Sequence, residues 1–256
     1  MTAVALAVRD SSTMLRRQLK HIRRYPSMTV MLAGMPIVFM LLFVYVFGGA
    51  LGAGLGGDRG DYLEYLVPGI LMTTIAAVGT ATAVSVATDM TEGIVARFRT
   101  MAIARVSVLT GHVLGSVLQA LLAVLVVGVV AVAIGFRAEV DPLAWLGAIG
   151  VMAMASFAVT WLSVGLGLVS KSIETASNLP TFLYVLPFLG SAFVPTDSMP
   201  AGLRQFAEFQ PFTPIIETLR ALLTGGPVGG NAIAAAAWCA GIALVGYLWS
   251  RRLYNR

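Results

Sequence analysis

Val106-Ser-Val-Leu-Thr-Gly-His-Val-Leu-Gly-Ser-Val-Leu-Gln-Ala-Leu-Leu-Ala-Val-Leu-Val-Val-Gly-Val-Val-Ala-Val-Ala-Ile-Gly-Phe136 runs from Arg105 to Arg137 without one Asp, Glu, Lys or Arg. A charged side chain in hydrocarbon costs about 2.5 to 3.5 kcal/mol on insertion scales, so a gap of this length marks a segment that crosses lipid. Five further gaps, at 25–57, 65–88, 142–170, 175–196 and 221–250, share the property. Each exceeds the roughly 20 helical residues needed to span ~30 Å of hydrocarbon. The reading is an all-α integral membrane protein with six transmembrane helices, at about 28–50, 63–88, 107–136, 142–170, 175–195 and 229–250. With 256 residues, 58% of them hydrophobic, the loops left over are too short for a separate soluble domain, so 1–256 reads as a single membrane domain.

The Lys and Arg residues fix an orientation, since cytoplasmic loops carry their excess. With the N-terminus inside, the inner segments hold Arg9, Arg16, Arg17, Lys20, Arg23, Arg24, Arg97, Arg99, Arg105, Lys171, Arg251, Arg252 and Arg256, while Arg59, Arg137, Arg204 and Arg220 lie outside. Acidic residues divide the other way. Both termini are therefore expected in the cytoplasm. A net charge of +5 in a soluble protein would suggest nucleic acid; here topology already accounts for the basic residues, and no nucleic-acid partner is expected. Arg outnumbers Lys fifteen to two, and Ala, Gly and Val dominate, the codon footprint of a high-GC bacterial genome; the expected location is a bacterial plasma membrane.

Residues 1–27 resemble a secretory signal only superficially, because the apolar run from Met28 to Phe47 exceeds the 7 to 15 residues typical of a cleavable one. Met14, Leu15, Leu19 and Ile22 alternate with Arg16, Arg17, Lys20, Arg23 and Arg24 in a helical rhythm. That pattern fits an interfacial amphipathic helix with its basic face on anionic headgroups, or a solvated tail that only sets topology. Enzyme chemistry finds little footing. Gly165-Leu-Gly-Leu-Val-Ser170-Lys171-Ser172 misses the phosphate loop GxxxxGK[ST] at Ser170 and ends an apolar span rather than following a buried strand. Ser116 and His112 stand one helical turn apart but lack a nucleophile turn. Cys239 has no partner cysteine, and the two histidines, His21 and His112, have no acidic companion at ligand spacing, so no metal site is expected.

Between the second and third spans lies Asp89-Met-Thr-Glu-Gly-Ile-Val-Ala-Arg-Phe-Arg-Thr-Met-Ala-Ile-Ala-Arg105. As a helix it places Ile94, Phe98 and Met101 on one face, with Glu92, Arg97 and Arg99 pointing elsewhere. Such a helix at a membrane boundary either engages a soluble partner or rests on lipid with its arginines snorkelling.

Glu92-Gly93-Ile94-Val-Ala-Arg97-Phe98-Arg99-Thr-Met101-Ala-Ile-Ala-Arg105 resembles the segment between the second and third spans of ABC-2 type permeases, above all those of daunorubicin-type antibiotic exporters. Tyr65-Leu-Val-Pro68-Gly69-Ile-Leu resembles the start of that family's second span. Pro195 to Arg220, with Met199-Pro200, Gln210-Pro-Phe-Thr-Pro214 and Glu217-Thr-Leu-Arg220, resembles its region between the fifth and sixth spans, which carries short re-entrant helices on the outer side. Gln210 stands where many relatives have Asn. The resemblance extends from about residue 10 to the C-terminus.

The resemblance implies a permease subunit that is itself no enzyme, pairs with a second permease chain as a homodimer, and docks on two copies of a cytoplasmic ABC ATPase that bind ATP and Mg. Residues 89–105 would be the coupling helix, with Glu92, Gly93, Ile94, Arg97, Phe98, Arg99 and Met101 at the ATPase. Cargo would pass between the second and fifth spans of the dimer, along Thr73, Thr74, Thr80, Gln119, Asn178, Phe182, Tyr184 and Phe188, residues equally able to serve helix packing. Thr82 and Ser85 share the polar stripe, and Pro180 and Pro187 are placed to bend the fifth span. Glu217 and Arg220, in the outer re-entrant region 196–224, are candidates for an outer gate. The implied activity is ATP-driven export of amphipathic drugs or antibiotics. A lipid-linked glycan or glycolipid as cargo, and a non-transport membrane anchor or immunity subunit, are the competing readings.

Overall fold

The computed structural model describes residues 26–91, 105–138 and 140–254, and every regular element in them is helical. The chain enters through α1 (Pro26–Leu42), passes through a π-helical turn (Phe43–Phe47), and finishes the same rod as α2 (Gly48–Gly54). Then follow α3 (Arg59–Thr91), α4 (Arg105–Ala133) and α5 (Pro142–Val169). Short pieces come next: α6 (Ile173–Asn178), α7 (Thr181–Val185) and a 3-10 turn (Leu186–Leu189). A second 3-10 turn (Thr196–Ser198), α8 (Ala201–Phe209) and α9 (Phe212–Thr224) precede the last long helix, α10 (Asn231–Tyr254).

Five stretches are long and apolar enough to cross a membrane: Thr29–Gly54, Arg59–Thr91, Leu109–Ala133, Pro142–Val169 and Asn231–Tyr254. The expected span at 175–195 is not a continuous helix. Pro180 and Pro187 each lack the backbone N–H that an unbroken ladder needs, and the helix re-forms in three pieces around them. It ends at Gly190, whose N–H closes onto the Pro187 carbonyl at 3.2 Å. The expected coupling helix also starts too early at 89: α3 continues through Asp89 and Met90 to Thr91. Residues 92–104, and the basic segment 1–25, lie outside the described residues.

α3 is the buried centre, packed against α5, α4, α1, α9 and the pieces α6 and α7, while α10 lies along α5. Hydrocarbon removes the hydrophobic drive between helices, so contact there depends on close approach by small residues. Three such approaches recur. A Cβ added to Gly69 would stand 2.5 Å from the Ala192 carbonyl oxygen, one on Gly167 2.6 Å from that of Ala83, and one on Gly246 2.7 Å from the Leu162 nitrogen. These glycines seat α3 on the 190–194 loop, α5 on α3, and α10 on α5.

Helix starts follow the local chemistry. Asp58 and Asp61 form a reciprocal capping box on α3: Asp58 Oδ1 accepts from Asp61 N at 3.1 Å, and Asp61 Oδ2 accepts from Asp58 N at 2.7 Å. Ser172 Oγ accepts from Thr175 N at 3.1 Å to start α6, and Gly225, left-handed at φ 75°, stops α9.

α3, α5 and α10 run in one direction and α4 in the other. The last turns of α3, α5 and α10 and the first of α4 meet in an apolar cluster of Val86, Leu109, Val113, Trp161, Val164 and Tyr254. The opposite ends gather around Tyr62, Leu66, Phe136, Met152, Ile216 and Ala235. The first is the Asp89 end of the bundle and the second the Arg220 end.

Candidate functional site

At the Asp89 end the two helices that flank 92–104 are joined, among the described residues, by a close polar contact between His112 and Asp89. His112 Nε2 lies 2.9 Å from Asp89 Oδ2, and both side chains are less than a fifth exposed. Asp89 occupies the last turn of α3, where a carboxylate faces the negative end of the helix dipole, so its partner offsets an unfavourable position. Sequence reading missed this pair because the partners are distant in the chain; the acidic residue at a helix C-terminus was the available signal.

Along α3 the expected cargo-path threonines turn their hydroxyls back on their own helix. Thr73 and Thr74 are fully buried, and both donate to the Ile70 carbonyl at 2.8 Å. Thr80 donates to Ala76 O at 3.3 Å and Thr82 to Val78 O at 2.8 Å. A hydroxyl bonded this way satisfies itself without cargo. Gln119, on α4, is also buried.

The broken fifth segment presents a different surface. Leu179, Phe182, Val185 and Leu189 are exposed along it, with Asn178 exposed at its start. Phe188 instead turns inward, stacked on Phe193 with centroids 4.4 Å apart and edge-on to Phe39 of α1 at 5.5 Å. Tyr184 packs on Phe188 at 5.9 Å, its hydroxyl buried without a hydrogen-bond partner. Thus Phe182 and Asn178 are exposed, whereas Phe188, backed by Tyr184, binds the segment to α1 and the 190–194 loop.

At the Arg220 end a second constellation forms. Arg220, on α9, pairs through Nη1 with Glu217, donates Nη2 to Ser191 O at 2.7 Å and Nε to Tyr65 O at 3.2 Å. The receiving carbonyl lies in the turn of α3 that leads into Pro68, next to the Glu64 carbonyl, which loses the i→i−4 donor that Pro68 lacks. Tyr65 completes the knot by donating its hydroxyl to Ser191 O at 2.9 Å, and Tyr62 donates to Phe193 O at 3.2 Å. Glu217 and Arg220 therefore stand together as expected from their spacing, but Arg220 also ties α9 to α3 and the 190–194 loop. Gln210, singled out as a departure, donates Nε2 to the Leu186 carbonyl at 3.0 Å and to Thr213 Oγ1 at 3.3 Å. It thereby caps the end of the broken fifth segment. Farther out, Arg204 on α8 donates to Glu208 at 2.7 Å and pairs with Asp197 at 2.6 Å; that hydrogen bond, then the two carboxylates' charge, raise its pKa above the ordinary arginine value.

The seven expected ATPase contacts, Glu92, Gly93, Ile94, Arg97, Phe98, Arg99 and Met101, lie outside the described residues; the flanking helices end at Thr91 and begin at Arg105, and the Asp89–His112 contact joins them inside those ends.

Comparison with known proteins gives these ends a context. The family described as ABC-2 type transporter matches residues 10–224. The chain is 30% identical over 224 residues to the daunorubicin resistance ABC transporter permease protein DrrB1 of Streptomyces coeruleorubidus, covering 87% of this chain and 78% of that one. It is 26% identical over 211 residues to the probable doxorubicin resistance ABC transporter permease protein DrrC of Mycobacterium tuberculosis, strain CDC 1551 / Oshkosh, covering 82% and 75%. ATP binding in this family resides on a partner ATPase. A match over most of its length, carried by a bundle of long apolar helices, makes the chain a member of the ABC-2 type transporter family, a non-catalytic membrane permease subunit.

Proposed function

We propose that the chain is the permease of an ATP-driven exporter of amphipathic drugs, working as a homodimer on two copies of a separately encoded ATPase, which binds ATP and Mg. The observation that carries this is the kinship, over 87% of the chain, with a permease named for daunorubicin resistance. In this reading the chain crosses a bacterial plasma membrane six times, with the broken segment 173–195 as the fifth crossing and both termini in the cytoplasm. The basic residues support the orientation through the sequence: Arg105, Lys171, Arg251 and Arg252 at the Asp89 end match Arg59, Arg137, Arg204 and Arg220 at the other in number, and the excess comes from Arg97 and Arg99 between α3 and α4 and from the six Lys and Arg residues that precede α1.

Residues 92–104 then face the ATPase. Closure of two ATPases on ATP moves a helix held in their clefts, and α3 carries the motion to the far side of the bundle. Phe98, Ile94 and Met101 supply the apolar anchor and Arg97 and Arg99 the charged contacts. Cargo moves along the exposed face of the fifth segment, at Asn178 and Phe182, where an aromatic surface suits amphipathic molecules. The buried threonines serve the backbone. The Arg220 knot holds the outer re-entrant helices α8 and α9 in register with α3.

The test is co-expression with the ATPase, purification through a tag on this chain, and ATP hydrolysis in lipid nanodiscs with and without daunorubicin. A complex whose hydrolysis responds to the drug is expected. A complex indifferent to daunorubicin removes the drug reading, and the absence of any complex removes the transporter reading.

A further inference from the structure

We infer that Asp89 and His112 form a clasp that holds the two ends of the coupling segment at a fixed separation and passes its movement into the bundle. This rests on the proposed coupling role of 92–104. The pair joins the last turn of α3 to the third turn of α4, the two helices that lead into and out of that segment. A carboxylate at the negative end of a helix is not placed there for the stability of that helix, and a single pair near the surface adds little to stability overall. What the pair does fix is geometry, because each partner sits on a helix already anchored beneath it.

The anchoring is specific. Val86 lies one turn before Asp89, and Leu109 and Val113 flank His112; these three pack with Trp161 and Val164 of α5 and Tyr254 of α10. Trp161 in turn meets the Tyr247 ring edge-on, centroids 5.1 Å apart, and its carbonyl accepts from Ser250 Oγ of α10 at 3.5 Å. A displacement of the clasp therefore has close-packed routes into four helices. α3 itself continues to the Arg220 end, where Tyr65 is held by Arg220. Without the clasp, α3 and α4 respond separately to a push on the segment between them, and the push is spent in spreading them. Asp89 and His112 are in this sense positioning residues for the transport cycle, acting through the coupling segment and touching neither ATP nor cargo.

Two readouts on the permease–ATPase complex in nanodiscs test this. In a Cys239→Ala background, spin labels at Met90→Cys and Leu114→Cys, both at exposed positions, report the separation of α3 and α4. The shortest distance, that within one protomer, is expected to be narrow, broadened by His112→Leu or Asp89→Leu and narrowed again by the exchange Asp89→His with His112→Asp. On the same complexes, each single variant is expected to retain co-purification while kcat for ATP shifts at least threefold at unchanged KM, and the exchange brings kcat back within twofold of wild type. A distance unaltered by the single variants overturns the clasp. A broadened distance with wild-type kcat, or singles that lose the complex and are not restored by the exchange, leaves only a structural pair and also overturns it. The coupling reading fails separately, if Arg97→Glu and Phe98→Ala complexes assemble and turn over as wild type.

Discussion

The guanidinium carbon of Arg220 lies 3.8 Å from the centre of the Tyr65 ring, and Nε of the same group donates to the Tyr65 carbonyl. One cation thus holds a ring, two carbonyls and the Glu217 carboxylate. Arg220→Met strands all of these in a largely buried place and is expected to cost on the order of 3 kcal/mol. Arg220→Lys, which keeps the charge without the fork, should fall between wild type and that value. The double reversal Glu217→Arg with Arg220→Glu should fail to restore stability, because a carboxylate at 220 would face the Tyr65 and Ser191 carbonyl oxygens. Thermal unfolding of the purified protein in detergent checks the order; recovery by the double reversal would mean that Glu217 alone matters.

Gly69 admits the Ala192 backbone to α3, and a methyl group there has no space. Gly69→Ala is expected to destabilise by about 1 to 3 kcal/mol, the usual cost of overpacking. Gly128→Ala, with nothing within 4 Å of the new Cβ, should leave the melting midpoint almost unmoved. Equal midpoints for both variants would contradict the close packing of α3 on the 190–194 loop.

Gln210 reaches Leu186 O across Gly190, where an added Cβ would stand 2.0 Å from the Gln210 amide nitrogen. Gln210→Leu removes the hydrogen bond from a half-buried carbonyl and should cost about 1 to 2 kcal/mol. Gly190→Ala should cost more alone, and less in a Gln210→Ala background than in wild type. A double-mutant cycle reads the coupling; additive effects would mean that the two residues do not compete for one space.

How far the fold was legible depends on the size of the energy each feature carries. The cost of charge in hydrocarbon is large, so gaps in Asp, Glu, Lys and Arg locate the long helices: α5 runs from Pro142, just after Asp141, to Val169, just before Ser170 and Lys171, whereas α3 continues past its gap at both ends, to Arg59 and Thr91. Hydropathy is blind to backbone continuity, so 175–196 read like its neighbours although Pro180, Pro187 and Gly190 divide it. Glu217 and Arg220 were visible as an i, i+3 pair on one helix. Tyr65, Ser191 and Phe193 were not, nor was the Asp89–His112 pair, because those contacts exist only once distant helices have packed. Polar residues within a span drew attention to Thr73 and Thr74, and only their hydrogen bonds to Ile70 reveal that they are internally satisfied.

Those hydrogen bonds separate two groups of candidate cargo residues. Thr73→Val and Thr74→Val keep the side-chain shape and remove a hydroxyl that bonds its own helix; transport of daunorubicin into inverted vesicles or out of cells should change less than twofold. Phe182→Ala alters an exposed ring and should change apparent affinity at least fivefold with the complex intact. The reverse ranking would move the cargo path from the fifth segment to α3.

The central claim is that residues 92–104 meet the ATPase. A photo-activated cross-linking amino acid placed at Phe98, and at Ala201 on α8 as the opposite-side control, tests it most directly in cells that express both subunits. A covalent adduct with the ATPase at 98 and none at 201 is expected. An adduct at 201, or none at 98 while the complex still purifies intact, would contradict both the coupling segment and the orientation of the bundle.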